Sequence, residues 1–285
     1  MNDNPLYSAD DIAKTYEKVH DHKLTKNIIS QYSTNRIDVR ELALSNLDIS
    51  RAIKVLDLGC GYGLFEEKLK GRLAKEALIT GVDIVDSNEE VFLKTVEEAG
   101  YKGEFIKASA DVINTIQSKM FDLVIASYSL YFFPHIIKEI SRVLKSDSLF
   151  IAITHSKDSL KEVTDLIPYS IRSTGLSVPD EFSISKLLKA FCSEDGHNQL
   201  SSYFKKVEMI TYSNSMIFLP GDIPDCIEYL TRKRPLLFKD VMGAHPDKVS
   251  EVEDHFFRRL NEQTLTNGRL SITKDDAIFR AFNPL

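Results

Sequence analysis

The residues best equipped for chemistry sit in one short run, Asp57-Leu58-Gly59-Cys60-Gly61-Tyr62-Gly63. A carboxylate stands just ahead of three glycines spaced G-x-G-x-G. Glycines at that spacing let backbone turn tightly and approach a ligand at the start of a helix. A dinucleotide site aims a helix dipole at a pyrophosphate, and an adjacent carboxylate would repel that anion. Asp57 therefore suits a ligand with a positive end. A second acid, Asp83, closes an apolar run about 20 residues further on, where doubly wound sheets place the acceptor for ribose hydroxyls. A histidine, His155, closes another apolar run. An unperturbed imidazole titrates near neutral pH, so His155 is the best placed of the seven histidines for a general base.

These residues need elements to position them. Ile53, Val55 and Leu56 read as a buried parallel strand leading into the glycine turn. The pattern then predicts an amphipathic helix, with Leu64, Phe65 and Leu69 inward and Glu66, Glu67, Lys68 and Lys70 outward. Further strands are predicted over Ala77–Ile84, Glu104–Ala108, Met120–Ser127 and Ser148–Thr154. Helices are expected over Glu89–Ala99 and Ile136–Leu144. Strands alternating with helices mean a parallel sheet, and ligands bind outside the carboxyl ends of its strands. That rule puts Ser127-Tyr128-Ser129-Leu130-Tyr131 and His155 on one rim.

The run Val55-Leu56-Asp57-Leu58-Gly59-Cys60-Gly61-Tyr62-Gly63 resembles the first motif, VLDxGxGxG, of the class I S-adenosylmethionine-dependent methyltransferases, of the type 11/12 kind. Phe121-Asp122-Leu123-Val124-Ile125-Ala126-Ser127 is similar to that family's fourth motif. The resemblance is specific over about residues 50–155 and architectural elsewhere. It implies an α/β fold, a Rossmann-like seven-stranded mostly parallel sheet with helices on both faces and a helical cap. It implies S-adenosyl-L-methionine as methyl donor and S-adenosyl-L-homocysteine as product. Gly59, Cys60, Gly61 and Gly63 would bring backbone to the methionyl part, and Asp57 would order the loop and favour the ammonium. Asp83 would hold the ribose, and Ile84 would form apolar wall of the cofactor site. Ala110 and Asp111 fall where the family holds adenine, Asp111 competing with a helix-capping role. Ser127 completes the rim, and Tyr128 and His155 face the acceptor as catalytic candidates. Tyr16, one turn from His20 on a leading helix, either covers the cofactor or packs at a core edge. Ser127-Tyr128-Ser129 replaces the acid or amide followed by Pro-Pro-Tyr found in relatives that methylate amines or DNA bases.

Four segments are expected: a helical cap over 1–50, the methyltransferase core over 51–218, a helical lid over 219–267 and the final core strand over 268–285. The sixth strand is expected within Tyr203–Phe218. The last is expected over Leu270–Phe282, after a turn at Asn267-Gly268. Basic side chains of the lid, Arg232, Lys233 and Arg234, read either as a solvated face or as readers of an acidic group.

Composition narrows the function. Formal net charge is −6 over 285 residues, and no long Lys/Arg run suggests a nucleic-acid or membrane patch. Cys60, Cys192 and Cys226 form no C-x-x-C pair, so no metal framework is implied and a reducing cytoplasm is the default. No signal peptide is visible, and no apolar run reaches the ~20 residues a membrane helix needs. The expected function is methylation of a small-molecule acceptor at oxygen or nitrogen by a monomer or homodimer, with no membrane or nucleic-acid partner. The alternatives are an RNA or protein methyltransferase and a non-catalytic S-adenosylmethionine-binding protein. A nicotinamide dehydrogenase is disfavoured by the glycine spacing and by Asp57.

Overall fold

The computed structural model describes residues 6–16 and 19–285, without the side chains of 19–23. The side chain of His20, paired above with Tyr16, lies outside the described residues.

Seven strands form the main sheet: β1 (Lys54–Leu58), β2 (Leu78–Asp83), β3 (Lys102–Lys107), β4 (Phe121–Ser127), β5 (Leu144–His155), β6 (Phe204–Tyr212) and, after two strands of a separate sheet, β9 (Asp276–Pro284). Their order is β3-β2-β1-β4-β5-β9-β6. The first five run parallel, and β9 is antiparallel to both β5 and β6. This is the expected seven-stranded, mostly parallel sheet with flanking helices. The central strands are buried along nearly their whole length, which is why they read as continuous apolar runs rather than alternating ones. Strand order reverses between β1 and β4. At such a switch point the connections leave to opposite sides and open a crevice at the carboxyl ends.

The chain divides into two compact units. The core unit comprises Ile37–Ser156, Ala190–Tyr212 and Asp276–Leu285. Its apolar interior runs through Val55, Phe65, Leu69, Ile79, Phe92, Leu123 and Ile151. A short helix, Val39–Leu44, starts on Asp38, whose carboxylate accepts from the Arg40 N–H at 2.9 Å. Its other end is held by Arg280 of β9, which donates to the carbonyls of Leu42, Ala43 and Ser45 at 2.9, 3.1 and 2.7 Å.

The other unit comprises Met1–Arg36, Lys157–Lys189 and Ser213–Asp275. It is largely helical and includes the 19-residue helix Val249–Asn267. It also holds a two-stranded antiparallel sheet of β7 (Ser215–Phe218) and β8 (Leu270–Thr273).

Four local expectations give way. The run expected as one sixth strand breaks after Tyr212, where Asn214 turns to take Asp275 on its N–H at 2.8 Å. The run expected as one final strand likewise splits into β8 and β9. Asn267-Gly268 is no hairpin turn: Gly268, at φ +71, ends the long helix in the left-handed conformation. The helix expected after the glycines shrinks to a single 3₁₀ segment, Glu66–Leu69, and Glu66 points inward rather than to solvent.

Candidate cofactor and acceptor site

The glycine loop is fixed by its neighbours on every side. Gly59 and Cys60 donate their N–H groups to the Val82 carbonyl at 2.8 and 3.2 Å. Ser129 donates its hydroxyl to the Leu58 carbonyl at 2.5 Å. Gly59, Gly61 and Gly63 have φ of +75, +53 and +91, a region that penalises any residue with a Cβ. A Cβ on Gly59 would lie 2.5 Å from that of Ser129, whereas one on Gly61 would meet nothing within 4 Å. The Gly61 backbone is thus the one bared for close approach.

Asp83, at the tip of β2, accepts from the Gly61 N–H at 2.8 Å and from the Val85 N–H at 2.9 Å. Ile84 beside it is half-buried. The Ala108 N–H donates to the Asp83 carbonyl at 3.0 Å, so the end of β3 is tied to the same spot. Ala110, which follows, is buried, and Asp111 is exposed. Ser109 caps the short helix that follows it, accepting from the Asp111 N–H at 3.3 Å and donating to the Asp111 carboxylate at 2.7 Å, and Asp111 lies 2.6 Å from His135 Nε2. The His135 contact, then Ser109, hold the Asp111 carboxyl below its ordinary range, so it remains an ionised acceptor.

Beneath the loop lies a feature invisible in the sequence. Asp57 and Glu66 are both buried, at 1% and 0% exposure. Among the described residues no donor outside the pair reaches Asp57 Oδ1 or either Glu66 oxygen. The two buried carboxyls interact with one another, an arrangement that disfavours ionising both at once. Burial pushes Asp57 well above its ordinary range, and the nearby Glu66 and Asp83 add to the rise. Burial also raises Glu66. Arg40 opposes both shifts, and its buried Nε meets no acceptor. Ser127 Oγ, at the tip of β4, is buried without a partner as well. Cys60 is buried, and desolvation followed by the Asp57 charge keeps its thiol protonated.

Arg40 also stands 5.7 Å over the Tyr128 ring, linking this cluster to the next strand tips. Tyr128 follows β4 with φ +59, strained for a bulky side chain. Its hydroxyl donates to Asp276 Oδ2 at 2.6 Å, and His155 Nδ1 lies 2.6 Å from Asp276 Oδ1. The Tyr128 and His155 rings are 4.7 Å apart. Burial and the Asp276 carboxylate push the Tyr128 phenol well above its ordinary value, so it acts as a donor and not as a base.

Most residues singled out in the sequence therefore converge on the core unit's carboxyl edge. Tyr16 belongs to the other unit, where it ends the helix Ala9–Tyr16 near Tyr7. Arg40, Glu66 and Asp276 went unrecognised. Glu66 sits in a Glu-Glu-Lys run that mimics a solvated face, and Asp276 falls inside the run expected as the final strand. A recess of about 320 Å³ lined by Lys54, Thr80, Glu104 and Phe121 is elsewhere, towards the amino ends of the strands. Among the described residues no acid, histidine or cysteine group gathers as a metal site, and no helix is long and apolar enough to cross a membrane.

Residues 56–152, the span from β1 to β5, match the family model described as a methyltransferase domain. The core unit carries a methyltransferase domain over residues 56–152. The methyl donor of this family is S-adenosylmethionine. Over 120 residues the chain is 34% identical to ribosomal RNA small subunit methyltransferase C of Haemophilus influenzae strain PittGG, covering 40% of this chain and 35% of that protein. The chain spans about a third of the length of the curated relatives it matches, 35–38%. In fold, the methyltransferase domain and its surroundings are similar to a cyclopropane synthase of Mycobacterium tuberculosis, with TM-score 0.52, 12% identity and coverage of 98% and 100%. They are also similar to the cyclase SpnF, with TM-score 0.50, 14% identity and coverage of 96% of each chain. At such identities the likeness concerns the fold alone.

Proposed function

We propose that this chain is an enzyme that binds S-adenosylmethionine at the carboxyl edge of β1–β4 and transfers its methyl group to oxygen or nitrogen of a small molecule. The carrying observation is the set of buried polar atoms beside the glycine loop. Among the described residues, Asp57 Oδ1 and both Glu66 oxygens meet no outside donor, and Arg40 Nε meets no acceptor. Buried polar groups without partners are costly and call for a ligand. A zwitterionic amino-acid tail satisfies both signs at once, its ammonium meeting the carboxyls and its carboxylate meeting Arg40. In this reading Asp83 holds the ribose, Ile84 forms apolar wall, Ala110 and Asp111 hold the adenine, and Ser127 lines the methionyl end, with Gly59, Cys60, Gly61 and Gly63 forming the floor. Tyr128 and His155 face the acceptor. When bound, the cofactor supplies a methyl group already activated by a sulfonium. The protein's work is then mainly alignment and exclusion of water.

The relatives named for ribosomal RNA favour a second reading, a methyltransferase of RNA. The shared stretch is the segment that would hold the cofactor, and it says little about the acceptor. The net charge of −6 favours the small-molecule reading.

Two measurements test the proposal. Calorimetry should show S-adenosylhomocysteine binding that weakens about tenfold or more in Asp83→Asn, since that change also unseats the Gly61 N–H. Label from methyl-tritiated S-adenosylmethionine should pass to a small-molecule extract and not to ribosomal subunits. Absence of binding defeats the cofactor assignment, and labelled ribosomal RNA defeats the small-molecule assignment.

A further inference from the structure

We infer that Asp276 is the positioning residue of a proton-accepting dyad, holding His155 so that Nε2 faces the acceptor as the base. The inference rests on the methyl-transfer reading and sharpens it, because a dedicated base specifies an acceptor that must lose a proton.

The arrangement follows from strand register. β5 ends at His155, β9 begins at Asp276, and the antiparallel ladder sets them directly opposite. Opposed residues of such a pair project from the same face at close range. Asp276 receives two hydrogen bonds, from Tyr128 Oη on Oδ2 and from the imidazole on Oδ1, both at 2.6 Å. Its side chain is only 3% exposed, while that of His155 keeps 18%. A carboxylate accepting at Nδ1 fixes the proton there and leaves the lone pair on Nε2. This is the logic by which an orienting acid sets the tautomer of a catalytic histidine.

Packing holds the ring as well as the hydrogen bond does. Tyr128 lies 4.7 Å away and Tyr131 stacks at 5.7 Å. The Ser193 N–H donates to the His155 carbonyl at 3.0 Å, anchoring the backbone. Among the described residues, charged and titratable groups facing the dyad include Tyr128 and Tyr131 after β4, Tyr212 on β6 and Arg40 over the Tyr128 ring. The left-handed backbone of Tyr128, φ +59, is the strained feature that turns its hydroxyl towards Asp276.

The chemistry balances as follows. An electron pair on the acceptor oxygen or nitrogen forms a bond to the methyl carbon, and the carbon–sulfur pair returns to sulfur. The proton displaced from the acceptor passes to His155 Nε2 and then to water. Hydroxyl, phenol and N–H acceptors need this step. Tertiary amines, ring nitrogens without hydrogen and thioethers do not, so the dyad assigns the acceptor to the first group.

The test reads the tautomer directly. Protein labelled with ¹⁵N-histidine is compared as wild type, Asp276→Asn and Tyr128→Phe, with His155→Gln identifying the signal. The wild type should show the Nδ1–H tautomer, Tyr128→Phe should keep it, and Asp276→Asn should lose it. S-adenosylhomocysteine affinity should stay within about threefold in Asp276→Asn, while label transfer to a small-molecule extract falls about 100-fold or more. An Nε2–H tautomer in the wild type, or transfer within about threefold in Asp276→Asn, overturns the inference. If Asp276→Asn does not fold, the wild-type tautomer alone decides. A wild type that binds no S-adenosylhomocysteine defeats the methyl-transfer reading and leaves the tautomer result standing.

Discussion

Glu66→Gln is the substitution whose outcome the structure specifies most fully. Glu66 and Asp57 are buried side by side, and burial raises both carboxyls above their unfolded values of 4.5 and 3.8, so the pair is expected to share a proton. A carboxyl whose folded pKa is raised stabilises the fold most below its unfolded pKa, and that contribution is lost as pH climbs towards the folded value. The wild-type core should therefore weaken as pH rises from about 4. Glutamine keeps the shape and presents an amide N–H to Asp57, which can then ionise against a donor and without a facing acid. A hydrogen bond to a charged group contributes about 1.5–3 kcal/mol. In a chain of this size each kcal/mol moves the midpoint by about 2–4 °C. Glu66→Gln should thus melt about 3–12 °C above wild type at pH 8 and within about 1 °C of it near pH 4. Differential scanning calorimetry across that range reads the effect. Titration with S-adenosylmethionine in phosphate and in Tris should find protons released by wild type and none by the variant. A melting difference that does not change with pH, or a variant less stable at pH 8, refutes the shared proton.

Three other outcomes follow. Gly59→Ala forces a Cβ to 2.5 Å from Ser129 and keeps φ at +75, so urea titration should show a loss of about 2–4 kcal/mol together with lost cofactor binding. Arg280→Met frees the carbonyls of Leu42, Ala43 and Ser45, and should cost about 2–4 kcal/mol while loosening the helix that carries Arg40, seen as faster amide exchange there. Burial, with Lys274 adding to it, pushes the Lys233 ammonium down to about 8. A base with a lowered folded pKa costs stability as pH falls from its unfolded value through the folded one. Lys233→Met should therefore match wild type at pH 10 and melt several degrees higher at pH 7, and an equal gap at both would refute the burial.

The legible parts of this chain are those where one local pattern has one physical meaning. Continuous apolar runs ending in Asp57, Asp83, Ser127 and His155 reveal buried parallel strands and the edge they share. The glycine spacing reveals the bared backbone at Gly61. What stayed hidden depends on contacts distant in sequence. Glu66 looks like a surface acid because nothing nearby announces that its segment turns inward as a 3₁₀ turn. Asp276 falls inside the run expected as the final strand, but its role comes from register with a strand 121 residues earlier. The breaks at Asn214 and Asp275 were unreadable for the same reason: β7 and β8 pair with each other, and period-2 alternation continues across both junctions.

β9 is wedged between β5 and β6, with neighbours on both sides, and it also delivers Asp276 to His155 and Arg280 to the Arg40 helix. A nascent polypeptide halted before residue 276 would thus carry β5 and β6 with open edges facing a gap one strand wide, and an imidazole with no carboxylate beside it. Sheet closure and proton-handling competence arrive in one late event, so an unfinished copy of this protein would be inactive and sticky together, and quality control would have an exposed edge to recognise.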